Sequence, residues 1–177
     1  ASMMRAQKPD DYGGKTLRLN DDGTAPKDNP FYGRKDANPE VFTMGHRINL
    51  GLTMNPWTNE MWSTENAPYG GDEVNILRPG GNYGWSVNEG NHPFRPDRPK
   101  GPGEFMPPLV EHPHSDFRSI TGGYVFGSER LPELKGAYIY GDYDTGKLWL
   151  LKLEASGAGG AHVTEHRQLA DTQIRIV

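Results

Sequence analysis

Short runs rich in Tyr, Val, Ile and Trp alternate with turn residues along the whole chain, and apolar side chains nowhere recur at the i, i+3, i+4, i+7 spacing of a helix. This pattern predicts an all-β chain. Strands are expected at residues 15–20, 40–44, 51–55, 60–65, 72–78, 83–87, 120–126, 137–140, 147–153, 163–169 and 173–177. Turn residues punctuate them densely, at Asp22-Gly23, Asn55-Pro56, Pro79-Gly80-Gly81, Ser156-Gly157 and Gly159-Gly160. The stretch 88–113 breaks the rhythm: it is polar, carries seven prolines, and is expected to be a loop. A loop of that length within a compact domain is usually functional or flexible.

Composition sharpens the picture in three ways. The 23 glycines and 15 prolines among 177 residues argue against a helical bundle, whereas 4 Trp, 8 Tyr and 6 Phe argue for a folded core. A formal charge of −4 supplies no cationic field for a phosphate backbone, so nucleic acid is excluded as an expected partner. The sequence has no apolar run long enough for a membrane-spanning helix. With no cysteine in the chain, a thiolate nucleophile, Cys-ligated zinc and iron–sulfur clusters are ruled out, and a metal would be held by oxygen or imidazole.

The segment Asp142-Tyr143-Asp144-Thr145-Gly146-Lys147-Leu148-Trp149 has the spacing of an Asp-box, the hairpin turn of a propeller blade. In that reading Asp144 accepts backbone N–H groups, Gly146 supplies a positive φ and Trp149 packs beneath the turn. At about 40–50 residues per four-stranded blade, the chain holds three to four blades. Propellers usually need at least about four. Strand-like sequence close to both ends adds to the expectation of a fragment.

Candidate chemistry gathers in three places. Glu65, Asn66, Asp72, Glu73 and Asn75 surround the Gly70-Gly71 turn, with the Ala67 and Pro68 carbonyls nearby. Such oxygen donors suit calcium, which takes six to eight oxygens; equally, Asp72 and Glu73 cap a turn and face water. Gly45-His46-Arg47 lies between two expected strands. There Arg47 either pairs with an anionic ligand through its planar fork or sits on the surface of a tight turn. Glu111-His112-Pro113-His114-Ser115-Asp116 offers imidazoles for metal or acid–base work, or a loop that satisfies its own polar groups. His92, His162 and His166 read as solvated residues. The chain contains none of the nucleophile-elbow, P-loop or dinucleotide fingerprints.

Several segments taken together resemble the glucose/sorbosone dehydrogenase family. They are Gly14-Lys15-Thr16-Leu17-Arg18-Leu19-Asn20, Asp28-Asn29-Pro30-Phe31, Gly45-His46-Arg47, Thr64-Glu65-Asn66-Ala67-Pro68, Gly71-Asp72-Glu73-Val74-Asn75 and Gly81-Asn82-Tyr83-Gly84-Trp85. The later stretches, Ser119 to Val125 and Tyr140 to Trp149, are similar to a bacterial branch of that family. The resemblance implies a six-bladed β-propeller, of which residues 1–177 form the latter half, with the Pro-rich loop at about 88–113 inside it. It implies oxidation of an aldose sugar to its lactone, dependent on pyrroloquinoline quinone (PQQ) and calcium. The electron acceptor would be a fused or separate cytochrome c or similar partner, and the location periplasmic or extracellular.

Carried over by position, the family pattern puts Arg47, Asn49 and Arg175 against the quinone and the Ala67 and Pro68 carbonyls on the catalytic calcium. Glu73 and Tyr83 belong to a structural calcium site, flanked by Asp72. The family's general base, a histidine, lies upstream of this chain, so none of its own histidines takes that role. Three positions depart from the pattern. Ile48 intervenes between Arg47 and Asn49, Ala67 stands where Gly is common, and the family's quinone-contacting Lys has no counterpart, Asp144 falling near its place. Ile48 and the missing Lys support an alternative: a calcium-stabilised propeller that serves as a binding or interaction module.

Overall fold

The computed structural model describes residues 2–69, 71–156 and 160–176. Gly70, the Gly157 and Gly159 turn positions and Val177 lie outside the described residues. The chain is all-β apart from two short 3-10 turns, Ser2–Gln7 and Pro132–Leu134. In chain order the strands are β1 (Lys15–Leu17), β2 (Val41–Met44), β3 (Asn49–Met54), β4 (Met61–Glu65), β5 (Asp72–Leu77), β6 (Asn88–Glu89), β7 (His92–Pro93), β8 (Val110–His112), β9 (Ile120–Val125), β10 (Tyr138–Asp142), β11 (Lys147–Ser156) and β12 (Gly160–Asp171). The chain divides into two compact units, Ala1–Ile48 with Leu77–Pro108, and Asn49–Ile76 with Leu109–Val177.

The first unit is built from turns more than from strands. Strands β1 and β2 pair antiparallel around a small core of Phe31, Ala37, Val41 and Met44. Asn82 bridges Met44 on one side and Phe105 on the other. Residues 83–87, expected as a strand, form a turn: Gly84 adopts φ +90°, and Val87 and Asn88 both donate to its carbonyl. A β-branched strand pattern yields here to one residue that only glycine accommodates. The Pro-rich stretch is partly ordered by pairing, with a β6–β7 hairpin where an uninterrupted loop is expected. Beyond the hairpin, Phe94 stacks on Trp85 at 5.1 Å and Arg98 donates to Ser86 Oγ at 2.6 Å.

A reciprocal amide pair fastens this unit. Gln7 Nε2 donates to Asn82 Oδ1 and Asn82 Nδ2 to Gln7 Oε1, both at 2.9 Å. Gln7 also donates to the Trp85 carbonyl and accepts from Gly101 N, and Asn82 donates to the Pro102 carbonyl. Both side chains are buried. Their polar atoms are matched by these bonds, as burial requires.

The second unit holds two antiparallel sheets, ordered β3-β4-β5-β8 and β9-β10-β11-β12. Each is a four-stranded blade of the propeller type, with successive strands adjacent. Strand β8 supplies the fourth strand of the first blade from the end of the Pro-rich stretch, pairing Asp72 with His112 and Glu73 with Glu111. Trp62, Val74, Ile76, Phe117, Ile120, Tyr138, Tyr140 and Leu151 form the core. Strand β3 alternates with its large apolar residues outward: Leu50, Leu52 and Met54 are all exposed. The inward positions are small because β9 lies against them. A Cβ on Gly51 would stand 2.6 Å from Gly122 Cα. Residues 173–177, expected as a strand, carry none over 173–176: Gln173 adopts φ 55° and the described residues after Asp171 run as a bend.

The hairpin turn between β10 and β11 has Asp-box character with one change of residue. Asp142, not Asp144, is the acceptor, taking N–H bonds from Arg118 (2.9 Å), Ser119 (2.6 Å) and Thr145 (2.8 Å). Asp142 is fully buried while Asp144 is exposed, so the carboxylate at the first position can reach three amides and the other cannot. Burial pushes the Asp142 carboxyl up, and these hydrogen bonds outweigh it, so its pKa is lowered. Gly146 has φ +71°, as expected, and Trp149 packs on Phe117.

Candidate functional site

In the first unit, a cleft of about 350 Å³ is lined by Arg5, Gly13, Gly14, His46, Arg47 and Trp85 among others. Its floor is set by the turn after β2. Gly45 at φ +79° lets the chain pass Asn82 so closely that a Cβ would meet Asn82 Oδ1 at 2.3 Å. His46 is buried, joined to Thr43 Oγ1 at 2.7 Å and stacked on Tyr83 at 4.7 Å. Arg47, half-buried, places its guanidinium 5.8 Å from the Trp85 ring centre. The opposite wall is held by Lys15, a residue the sequence does not single out. Its Nζ donates to the carbonyls of Arg5, Ala6 and Gly13 at 2.8–3.0 Å. Burial lowers the Lys15 pKa to about 8, the attraction of Asp11 opposing this in part. Arg5 closes the wall with Asp11, whose carboxyl its hydrogen bond holds down to about 2.

In the second unit Glu65, Asp72 and Glu73 are buried, not solvated. Asp72 is fully buried and both oxygens accept backbone N–H groups, from Ala67 at 3.0 Å and Ile120 at 2.9 Å. The Ala67 carbonyl accepts from His114 Nε2 at 2.9 Å, and Asn66 Nδ2 donates to Ser119 Oγ at 3.1 Å. The segment 66–67 is therefore held by three side chains, Asp72 nearby in sequence and His114 and Ser119 far from it. Pro68 follows it, half-buried. On the neighbouring strands Asn75 Nδ2 donates to Glu73 Oε2 at 3.0 Å and, more weakly, to Glu65 Oε1 at 3.5 Å. Both glutamates are buried, and Asn75 Oδ1 has no hydrogen-bond partner. Two buried carboxylates sharing one amide beside an orphaned amide oxygen form a donor set of the kind calcium takes. Among the described residues no group of three His, Cys, Asp or Glu side chains converges to hold a metal.

The remaining expected residues lie in both units. Asn49 opens β3 in the second unit, and its buried Oδ1 lacks a partner. Tyr83 belongs to the first unit and accepts from Arg78 N through its hydroxyl at 3.0 Å. Arg175 is exposed in the second unit, 5.1 Å over the Tyr143 ring, and donates to its hydroxyl. His166 is not solvated as expected: it is half-buried and joined to Tyr140 Oη at 2.8 Å.

The description Glucose / Sorbosone dehydrogenase names the family model that matches residues 1–177. The chain belongs to that family. The aldose sugar dehydrogenase YliI of Escherichia coli is 36% identical over 132 residues, which is 72% of this chain and 35% of YliI. Quinoprotein glucose dehydrogenase B of Acinetobacter calcoaceticus is 43% identical over 74 residues, 42% of this chain and 15% of that protein. The crystal structure of a putative oxidoreductase (glucose dehydrogenase) from Thermus thermophilus matches with TM-score 0.74 and 32% identity, covering 96% of this chain and 46% of that one. The chain thus spans about a third of the length of YliI and just under half of the Thermus structure, and its fold is part of a β-propeller. No helix among the described residues is long and apolar enough to cross a membrane.

Proposed function

We propose that this chain carries part of a quinoprotein that oxidises an aldose sugar at its anomeric carbon to the lactone, with PQQ and calcium as cofactors. The observation that carries this reading is Arg47, set over Trp85 in a cleft of a chain whose whole length matches the dehydrogenase family. A planar, anionic quinone suits such a cleft: the indole offers a flat apolar wall and the guanidinium a bidentate partner for a carboxylate. In the second unit the Ala67 and Pro68 carbonyls would hold one calcium, the former already oriented by His114 and Asp72. Glu73 would hold a structural calcium, with Asn75 Oδ1 and Glu65 beside it. Tyr83 enters this reading through the family pattern alone. When bound, the quinone would supply a hydride acceptor and calcium Lewis acidity.

The residues present bind and orient; the base that takes the sugar's proton belongs to another part of the family domain. The same reading implies a periplasmic or extracellular protein that passes electrons to a cytochrome c or similar acceptor. Thermal melts in chelator, in calcium, and in calcium with PQQ test it. A ligand at 100 times its Kd stabilises by about 2.7 kcal/mol, roughly 5–10 °C at this size. Glu73→Gln is expected to lose the calcium increment and Arg47→Ala the quinone increment alone. Calcium stabilisation with no quinone increment would favour the binding-module reading that Ile48 and the missing quinone-contacting Lys suggest.

A further inference from the structure

Strands β8, β10 and β12 of the second unit bring three side chains to one point. Tyr140 Oη, on β10, lies 2.7 Å from His112 Nε2 on β8 and 2.8 Å from His166 Nε2 on β12. One partner is enough to satisfy a buried phenol. Here there are two, and both are imidazoles. The quinone and calcium assignments use none of these groups.

We propose that His112, Tyr140 and His166 form a copper(II) site, with the two Nε2 atoms and the phenolate oxygen as ligands. The donor types select the metal. Two imidazoles and an anionic oxygen, in a chain with no thiolate to offer, suit copper(II), which heads the order of divalent affinities at nitrogen and oxygen sites. Burial keeps both imidazoles neutral, and with the ring proton on Nδ1 each Nε2 presents a lone pair. A buried divalent cation also needs opposite charge close by. The phenolate supplies one negative charge. Asp142 supplies the other: its carboxylate is fully buried, is kept ionised by three backbone N–H groups, and attracts positive charge at His112.

Ligand atoms about 2.0 Å from a tetrahedral metal stand about 3.3 Å apart, so each contact opens by about half an ångström when the ion replaces the phenolic proton. The exchange is one for one: the Oη–H bond breaks, the proton leaves to solvent, and the oxygen joins copper with no change of oxidation state. Rings wall the site, Phe117 at 3.9 Å from the His112 ring and Trp149 at 4.9 Å from His112 and 5.0 Å from His166. The Trp149 indole N–H is buried without a hydrogen-bond partner, a spare donor for a water or hydroxide that completes the metal's ligands. Entry is at His166, half-buried on β12, the edge strand of its sheet.

Copper(II) titrated into the chain, with calcium present throughout, tests the site. Visible absorption reads phenolate-to-copper charge transfer, paramagnetic resonance reads coupling to two nitrogens, and a pH-stat counts the released proton. One equivalent is expected to bind with all three signals. Tyr140→Phe should lose the charge-transfer band, and His166→Ala should weaken binding at least about tenfold, the scale that even an outer-shell partner of a metal carries. Replacing the exposed His92 and His162 by Gln should leave all three signals unchanged. A wild-type chain without the band overturns the proposal. Copper held equally tightly by wild type and His166→Ala is an adventitious ion only, and overturns it too. Should circular dichroism show Tyr140→Phe unfolded, the wild-type band and the affinity of the edge-strand variant His166→Ala decide.

Discussion

His112 is a neutral imidazole in a place where its charged form is unwelcome, and that makes the stability of the chain depend on pH in a calculable way. Burial lowers its pKa from an ordinary 6.5 to about 3, with His166 adding to the effect and Asp142 opposing it. Below pH 6.5 the unfolded chain takes up a proton at this position that the folded chain refuses. Stability from this group is therefore full above pH 6.5 and falls as pH drops through the window from 6.5 to about 3. Each pH unit well inside that window removes about 1.4 kcal/mol. Between pH 7 and pH 5 the loss amounts to about 2 kcal/mol, which moves a urea midpoint by about 1 M at a typical slope for small proteins. The assay is a set of urea melts at pH 7, 6 and 5 on the wild type and on His112→Phe, a ring that can keep the stack on Phe117 without the titration. Exposed carboxylates contribute equally to both, so the difference in slope isolates the imidazole. Parallel pH profiles in the two proteins would refute the reasoning, whatever their absolute stabilities.

Three further substitutions probe other parts of the structure. Asp142→Asn replaces an oxygen that accepts a backbone amide with a group that cannot accept, and is expected to cost about 1–3 kcal/mol, read from chemical melts. Asn82→Ala strips the partner from buried Gln7 and from Gly84 N. It should cost at least about 1–3 kcal/mol and speed proteolysis within the Pro-rich stretch, and wild-type protection there would count against the amide pair as its anchor. Gly51→Ala drives a methyl into Gly122 Cα and Thr64 Oγ1. A loss of about 1–3 kcal/mol or more is expected, with Leu52→Ala on the exposed side as a near-neutral control.

Most strands of the second unit were legible because they carry two independent signals, alternation and turn punctuation, that agree. Residues 60–65 and 72–78 read correctly for that reason. Residues 83–87 misled because Tyr, Trp and Val carry the composition of a strand, while a single positive-φ glycine bends the backbone away from it. In the Asp-box segment two carboxylates stand two residues apart, and only burial distinguishes the acceptor from the solvated one; periodicity is silent on that. The acidic group at 65–75 showed its donor chemistry in sequence, but not that its members are buried or that His114 and Asp72 grip Ala67. The His114 contact joins residues about fifty positions apart, as does the Asp72 bond to Ile120 N. His166 carried no local sign at all: a histidine alternating in a long strand reads as surface until the partner strands are known. The same holds for Lys15, whose role rests on three carbonyls that no composition reveals.

The first unit is written in two pieces of sequence, residues 1–48 and 77–108, and the amide pair of Gln7 and Asn82 joins them across 75 positions. Closing a loop of that size before any contact rewards it costs entropy that grows with the logarithm of its length. Strands β3, β4 and β5 pair in succession within the intervening 49–76 segment, each beside its sequence neighbour. Formed first, that meander replaces a long flexible tether with a short rigid one and brings the two pieces within reach. On that route the unit nearest the start of the sequence is expected to fold late, waiting on strands that come after its first half in sequence. Substitutions that slow the β3–β5 meander are expected to delay the burial of Gln7 even though they touch none of its partners.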